Sequence, residues 1–496
     1  MLDEIKKLTK HTGIYGMGNI LGKMVGFFMI PFYTHYLTTA DYGTLELLDL
    51  SLALMGLVMT MWMNASIIRH YYDYEERKDR NQVVSTILLL AFGIGVMVAA
   101  AGIHWSRPLS SLILKTPDLG SYVVLISLSF LVTCLNVVSV SYLRARQRSG
   151  FVVSSELVNL VLTLSLNIYF IAIRHTGVIG VLYSSLIANS LIAAALTIYT
   201  VHEVSLSFSL HKLRAIVVFG APLILTSVAA FTVNFSDRFF LRHFSTISIV
   251  GIYALGYKFG FMLSFLVVQP FDMIWSARMY EIAKQKDGGK VFSRIFEYYT
   301  LVLVTAALGL SIIIKEVINV VSAPDFHSAY KVVPVVALAY IFQGMNRFFL
   351  TGTYVAKKTL YLAGIGALSA LINIGLNFVL ISRFGMMGAA WSTALSFFAM
   401  AALSFLVSQK VYSIPYVFGR VIALLALAAV FYLASIMIPI SSVPLAVLVK
   451  IVLVVLFPVG LFVVGFFNKD EKDKAKELAL GLWSRYRLRA AAASGR

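Results

Sequence analysis

The sequence predicts an all-α polytopic membrane protein with about 14 transmembrane helices, two similar six-helix bundles followed by two further helices. The chain of 496 residues is 59% hydrophobic and 13% charged, with a mean hydropathy of +0.85. Its charged fraction is about half that of a typical globular domain. Apolar segments repeatedly exceed the roughly 18 residues that mark a bilayer-crossing helix. Glycine corners also recur at one fixed offset, which indicates an internal duplication.

Fourteen apolar segments of helical length follow one another along the chain. They are 11–36, 42–65, 83–104, 120–142, 153–174, 178–201, 216–240, 250–275, 295–315, 332–355, 361–382, 385–408, 418–439 and 444–467. The longest connections on the predicted outer side, 105–119 and 316–331, are too short to fold as domains.

The distribution of basic residues predicts the orientation. With the N-terminus inside, the inner segments carry 29 Lys and Arg residues and the outer segments carry nine. This asymmetry follows the positive-inside rule, so we expect both termini in the cytoplasm and a multi-pass protein of the cell (inner) membrane. The net charge of +18 therefore reports orientation and contact with anionic membrane lipids, and we expect no nucleic-acid partner.

A shift of 208 residues superposes the two parts of the duplication. The matched features are Gly43 with Gly251, Gly177-Val-Ile-Gly180 with Gly385-Met-Met-Gly388, and Ser184-Ser185 with Ser392-Thr393. Six helices in each half is an even number, so both halves enter the membrane in the same direction and form a parallel repeat. The predicted parts are an N-terminal bundle (1–201), a cytoplasmic linker (202–215), a C-terminal bundle (216–408), helices 13 and 14 (409–467) and a basic cytoplasmic tail (468–496).

Charged and amide side chains inside apolar spans are costly, and they mark either a polar pathway or an ion pair. The candidates for lining a substrate cavity are Lys23, Asn64, Arg69, Lys258, Asn346 and Arg347, with Arg69 placed just past the inner end of the second helix. The candidates for ion coupling or for ion pairs are Glu46, Asp49, Asp237 and Asp272. For each of them the alternative is an ion pair that holds the bundle together or a charge that snorkels to the interface.

The repeat gives one sharper expectation about the cavity. Lys258 corresponds to Leu50, which follows Asp49 directly, so the two halves present an acid and a base at nearly one depth. Two readings stay open: these groups pair across the interface, or the cations meet an anionic substrate while Asp49 or Glu46 takes up a coupling ion.

Enzyme signatures and cofactor motifs are missing from the sequence. The two stretches nearest to a phosphate loop end at Lys23 and Lys258; the first has the wrong glycine spacing and the second has Tyr257 between its glycine and lysine. The single cysteine, Cys134, excludes an internal disulfide and cysteine-based metal clusters. We expect no cofactor, no metal site and no catalytic residue.

Three stretches give the chain a recognisable likeness. They are Asp41-Tyr42-Gly43 after the first helix, Asn234-Phe-Ser-Asp237 with Ile249-Val-Gly251-Ile-Tyr253, and Asn377 with Gly385-Met-Met-Gly388-Ala-Ala. In this order and spacing they resemble the polysaccharide transporter (Wzx-like oligosaccharide flippase) branch of the MOP flippase superfamily, over about residues 8–465. Asp237 matches the recurrent acid of that family near the end of helix 7.

The resemblance implies a V-shaped pair of six-helix bundles around a central cavity. It also implies that the protein moves a polyprenyl-diphosphate-linked oligosaccharide, an O-antigen, capsule or exopolysaccharide unit, from the cytoplasmic to the outer leaflet by alternating access. Because no nucleotide site is present, an ion gradient or the membrane potential would drive the movement. Polysaccharide polymerase and chain-length proteins are the partners that this role implies.

Alternatives remain. A lipid-II flippase or a cation-coupled multidrug exporter of the same superfamily is the nearest one. Lys23, Lys258 and Arg347 argue against an exporter of organic cations, whose cavity should be acidic. An integral-membrane polysaccharide polymerase or ligase is the alternative from another class, and the short outer connections disfavour it.

Overall fold

A computed structural model describes residues 26–438 and 443–467. Those residues are helical nearly throughout and contain no β-strand. The long helices are α1 (26–36, within the described residues), α2 (Thr39–Tyr72), α3 (Arg77–His104), α4 (Gly120–Ala145), α5 (Ser149–Ile173), α6 (Val178–Val204), α7 (Leu210–Phe235), α8 (Ile247–Ala283), α9 (Gly288–Val321), α10 (Val333–Val355), α11 (360–384), α12 (386–411), α13 (Phe418–Met437) and α14 (Val443–Val463), and a short helix, Ser106–Leu114, follows α3. Each of the fourteen predicted segments overlaps one of them.

Twelve of the described helical runs are long and apolar enough to cross a membrane. This number counts Leu360–Val411 once, although Gly385 interrupts that run with a non-helical backbone (φ 53°, ψ −130°) and separates α11 from α12. The all-α membrane fold predicted from the sequence is therefore confirmed.

Several helices extend beyond their predicted ends. Helix α2 continues to Tyr72, so Arg69 lies within it and not past its end, where the sequence had placed this residue. Helices α6 and α7 leave only residues 205–209 between them, fewer than the predicted linker 202–215. The reason is that hydropathy marks the part of a helix in hydrocarbon, whereas the backbone ladder continues into polar turns.

Helix α7 ends earlier than predicted. It stops at Phe235, and after Ser236 a separate short helix, Asp237–Phe244, turns toward α8. The predicted segment 216–240 is therefore two helices. Their junction brings the Asp237-Arg238 pair into the protein interior, where both side chains are buried.

The backbone repeats its irregularities at the predicted offset. Gly177 has φ 64° and ψ −138°, close to the values of Gly385, and a π-helical turn precedes each of them. Thr38 and Thr246 cap α2 and α8 at equivalent positions. The regular hydrogen-bond pattern of α2 also breaks at Thr60, and the equivalent position in α8, Val268, ends the π-helical turn Ser264–Val268. Such matched irregularities support the duplication more strongly than matched helix lengths do.

Packing follows the same repeat. In the N-terminal half, α4 is central and packs against α2, α3 and α6. In the C-terminal half its equivalent, α10, packs against α8, α9 and α12. Helices α13 and α14 lie against α9 and against each other. The two halves meet mainly where α2 contacts α7 and α8.

Candidate functional site

Helices α2 and α8 cross near their N-terminal ends, at the face that the predicted orientation makes the outer one. The crossing is tight because both helices carry glycine there: a Cβ on Gly43 would lie 2.1 Å from the carbonyl oxygen of Ile247. A Cβ on Gly251 would lie 2.0 Å from the carbonyl oxygen of Thr39. These pairs exchange under the 208-residue shift, so the pseudo-twofold axis passes through the crossing. Small residues at helix crossings allow such close backbone approach in membranes.

Glu46 of α2 lies between two cations of the C-terminal half. Its carboxylate oxygens are 3.6 Å from Nε of Arg238 and 3.7 Å from Nζ of Lys258. The Lys258 ammonium also donates a hydrogen bond of 2.9 Å to the hydroxyl of Tyr42. The two halves are thus joined by charge directly below the glycine crossing.

Arg238 is 1% exposed and is the largest fully buried side chain of the described residues. It forms an ion pair of 2.7 Å with Asp237, donates to the carbonyl oxygen of Asn234, and stacks 3.7 Å from the ring centre of Tyr257. Tyr253 donates a further hydrogen bond to Asp237. Removing one member of such a network leaves an uncompensated buried charge, which is strongly destabilising.

Asp49 is exposed, and it makes no hydrogen bond or ion pair with a described residue. The structure therefore does not contain the Asp49–Lys258 ion pair. Lys258 pairs with Glu46, which lies one helical turn closer to the crossing. The offset identified the correct depth and the wrong carboxylate, because helix phase decides which of two acids one turn apart reaches across.

Arg347 and Asp272 lie together in the C-terminal half. Their side chains approach to 3.5 Å and are 51% and 33% exposed, so the contact is open to the surroundings. Arg347 also borders a cavity of about 190 Å³ between α7, α10, α11 and α12. Asn346 lines this cavity, and its amide oxygen accepts a hydrogen bond from Ser404.

Asn64 lines a second cavity, of about 290 Å³, inside the N-terminal half. Its amide oxygen accepts a hydrogen bond of 2.7 Å from Ser141. Arg69, five residues further along α2, is exposed and stacks 4.4 Å from the ring centre of Phe219 on α7. The candidates therefore fall into three places: the crossing and two cavities. Lys23 lies outside the described residues.

Sequence reasoning gave Arg238 too small a role and missed the tyrosines around it. Arg238 is not among the candidates named from the sequence, yet it is the buried centre of the network. Tyr253 and Tyr257 face it from α8, and Tyr340 bonds to Tyr257 at 2.8 Å. The i, i+4 spacing of Tyr253 and Tyr257 on the glycine-rich face of α8 was the available signal.

Lys258 has an exposed side chain (49%) although it lies well inside a membrane span. Charges at that depth face water or each other, because contact with lipid chains is costly. We infer that the space beside Asp49 and Lys258 is a polar passage between the halves, closed at the crossing. Fold and site together define a membrane transporter of the class built from two six-helix bundles.

Comparison with known proteins agrees with that class. The family model described as "Polysaccharide biosynthesis protein" matches residues 8–274, and the chain belongs to this family. A Haemophilus influenzae protein of the Lsg locus is 24% identical over 297 residues, which are 56% of this chain and 68% of that protein.

Solved structures resemble the fold at low identity. The lipid II flippase MurJ in an inward closed conformation gives a TM-score of 0.73 at 13% identity, covering 89% of this chain and 97% of that one. An inward-facing multidrug resistance MATE transporter of the MOP superfamily gives 0.63 at 12% identity, covering 78% and 94%. The fold is thus that of MOP-superfamily transporters.

Proposed function

We propose that this protein is a flippase that moves a polyprenyl-diphosphate-linked oligosaccharide from the cytoplasmic to the outer leaflet of the cell membrane. The observations that carry the proposal are the Gly43–Gly251 crossing and the exposed side chains of Lys258 and Arg347 within membrane spans, from which we infer the passage between the halves. Family membership supports a role in making polysaccharide. The O-antigen, capsule and exopolysaccharide repeat units are the substrates that such a role covers.

The diphosphate group of the proposed substrate matches the exposed cations of the protein. A diphosphate needs charge-assisted hydrogen bonds to leave water, and Arg gives them in bidentate geometry. Arg347 and Lys258 are each held by a loose carboxylate contact, at 3.5 Å and 3.7 Å, which a phosphate oxygen can replace. Arg69 has no carboxylate partner among the described residues and lies where α2 meets α7. The polyprenyl chain stays in lipid while the polar head crosses.

Alternating access requires that the outer crossing open and close. Glu46 attracts Arg238 and Lys258 in the closed arrangement, so opening separates charges and needs an energy input. An ion gradient or the membrane potential supplies it in this proposal, with Glu46 and Asp49 as candidate proton or cation acceptors. Both termini are cytoplasmic in this scheme, and polymerase and chain-length proteins take over the product at the outer face.

Reconstitution tests the proposal. The purified full chain is placed in liposomes with a fluorescent undecaprenyl-diphosphate-linked oligosaccharide, and a membrane-impermeant quencher reports how much label each leaflet holds. We expect wild type to equilibrate the label and Lys258→Gln and Arg347→Gln to slow it about tenfold each, as for a lost charged hydrogen bond. Lys290→Gln, in the exposed first turn of α9, is the matched control with no expected effect. Wild-type rates in both test variants would remove the site assignment, and a label static with wild type would remove the flippase assignment.

A lipid II flippase is the second candidate, since the MurJ fold covers 89% of this chain. The same liposomes separate the two: labelled lipid II should stay in its leaflet while the labelled oligosaccharide lipid moves. The reverse result would favour the second candidate. An exporter of organic cations is disfavoured by the exposed cations Lys258, beside the passage, and Arg347, beside the C-half cavity.

A further inference from the structure

The repeat places a cavity at the same position in each half. The N-half cavity lies between α2, α4, α5 and α6, and the C-half cavity between α7, α10, α11 and α12. Three of the four walls correspond, because α4, α5 and α6 are the equivalents of α10, α11 and α12. Under the 208-residue shift Ser155, Asn159 and Ile192 of the first cavity fall on Ala363, Ala367 and Met400 of the second.

The two cavities differ sharply in chemistry. The polar residues of the N-half cavity are Thr60, Asn64, Asn136, Ser141, Arg144, Ser155, Glu156 and Asn159. In the C-half cavity the walls from α11 and α12 are apolar throughout, and its polar groups lie on α7 and α10. Duplication has thus kept the space and changed what can occupy it.

Two amide oxygens of the N-half cavity need a donor. Oδ1 of Asn136 and Oδ1 of Asn159 are buried and accept no hydrogen bond, although the amide nitrogen of Asn159 donates to Asn189 at 3.1 Å. A buried acceptor without a donor is unfavourable. The occupant of this cavity should therefore carry hydroxyl or amide N–H donors.

Charge narrows the class of ligand further. Arg144 and Glu156 face each other at 3.3 Å, so the lining of the cavity is neutral overall. It has no uncompensated cation for a phosphate and no uncompensated carboxylate for an organic cation. Its volume of about 290 Å³ is near the lower end of the roughly 300–1,000 Å³ of ligand pockets. A sugar ring, neutral and rich in hydroxyl donors, meets all three requirements.

We propose that the N-half cavity is a saccharide subsite that binds one sugar ring through hydroxyl or N-acetyl donors to Asn136 and Asn159. This inference rests on the proposed function for the origin of the sugar, as part of the lipid-linked oligosaccharide. The neutral cavity holds sugar while the cations of the passage take the diphosphate. Asn64 and Thr60 of α2 line the subsite, and α2 also forms the outer crossing.

Saturation-transfer NMR tests this directly, because it detects weak sugar binding to a large particle. The probes are N-acetylglucosamine and glucose, added in turn to the purified full chain in nanodiscs. We expect saturation transfer with wild type from at least one probe, and a dissociation constant about tenfold higher in the double variant Asn136→Leu/Asn159→Leu, as for two lost hydrogen bonds. The matched control is Gln343→Leu in the C-half cavity, which should bind as wild type does.

A second variant protects the test against misfolding. Val140→Phe fills the N-half cavity without removing a polar group, and it should abolish saturation transfer while gel filtration and thermal unfolding stay as in wild type. Neither probe binding to wild type, or sugar binding unchanged in both test variants, would overturn the proposal. Sugar binding in a chain that moves no labelled lipid would leave the subsite intact and remove the flippase role. Flipping without sugar binding would do the opposite.

Discussion

The two halves of the molecule share their backbone devices and differ in the side chains those devices carry. Gly43 and Gly251 form one symmetric crossing, yet Glu46 corresponds to Ala254 and Leu50 to Lys258. At this contact the acid Glu46 lies on the N-terminal half and the base Lys258 on the C-terminal half. Divergence after duplication has therefore made a neutral contact between equivalent helices into an attractive one, and a transporter that must open this contact works against that attraction.

The side chains of the two halves differ most beside the crossing. Arg238 and Asp237 correspond to Ile30 and Met29, so a buried ion pair in one half replaces apolar packing in the other. Burying the Arg238 guanidinium in the C-terminal half costs desolvation free energy, and contacts with Asp237, Glu46 and the ring of Tyr257 offset this cost. Substitutions that move one half toward the other can test this account.

The largest effect is expected for Arg238→Ile, which copies the N-terminal half at one position only. It leaves Asp237 buried without its cation and Glu46 with Lys258 alone, and it should lower the free energy of unfolding by about 3–5 kcal/mol. Thermal unfolding of the purified chain measures this as a fall in the midpoint temperature.

The double variant Asp237→Met/Arg238→Ile sharpens that test, because it copies both N-half residues. It removes the stranded Asp237 carboxylate as well, so part of the lost stability should return. A single variant as stable as wild type would show that the network contributes nothing. Equal losses in the single and double variants would show that Asp237 is not the stranded charge.

An intermediate effect is expected for Gly43→Ala and Gly251→Ala. Each new Cβ would meet a backbone carbonyl oxygen at about 2 Å, so α2 and α8 must move apart at a cost of about 1–3 kcal/mol. Both variants should lower thermal stability and flipping by equal amounts, because the contact is symmetric. Gly56→Ala on α2 is the control, since its Cβ would meet nothing closer than 3.8 Å. Unequal losses in the two variants would contradict a pseudo-twofold axis at this crossing.

Much of the fold was predictable from the sequence, for a physical reason. A bilayer requires long apolar helices, so hydropathy alone located all fourteen segments, and the Gly-x-x-Gly corners at 177 and 385 located the duplication. The ends of α2 and α7 were wrong because helical backbone continues into polar turns and breaks at Ser236 without a glycine or proline. Local composition carries no signal for either event.

The candidate site was predictable in part. Intramembrane charge pointed to Glu46, Lys258 and Arg347, because such charges need a partner or water. The choice of Glu46 over Asp49 as partner depends on helix phase and on the crossing angle, which a single sequence does not carry. The N-half cavity also escaped prediction apart from Asn64, since Asn136 and Asn159 come together only when α4 packs against α5.

Gly177→Ala and Gly385→Ala isolate the backbone from packing, and we expect an effect no larger than that of the two crossing variants. A Cβ on Gly177 would meet no atom within 4 Å, and one on Gly385 would meet only Ser245, at 3.9 Å. Any loss therefore comes from holding alanine at φ 64° or 53°, a strain of about 1–3 kcal/mol. Thermal unfolding should show the same loss for both variants, with Gly93→Ala in the middle of α3, where a Cβ also meets nothing, as the helical control that is not destabilised. A loss at one corner only would mean that the two corners share a sequence pattern without sharing a conformation, and the repeat would then be limited to the crossing.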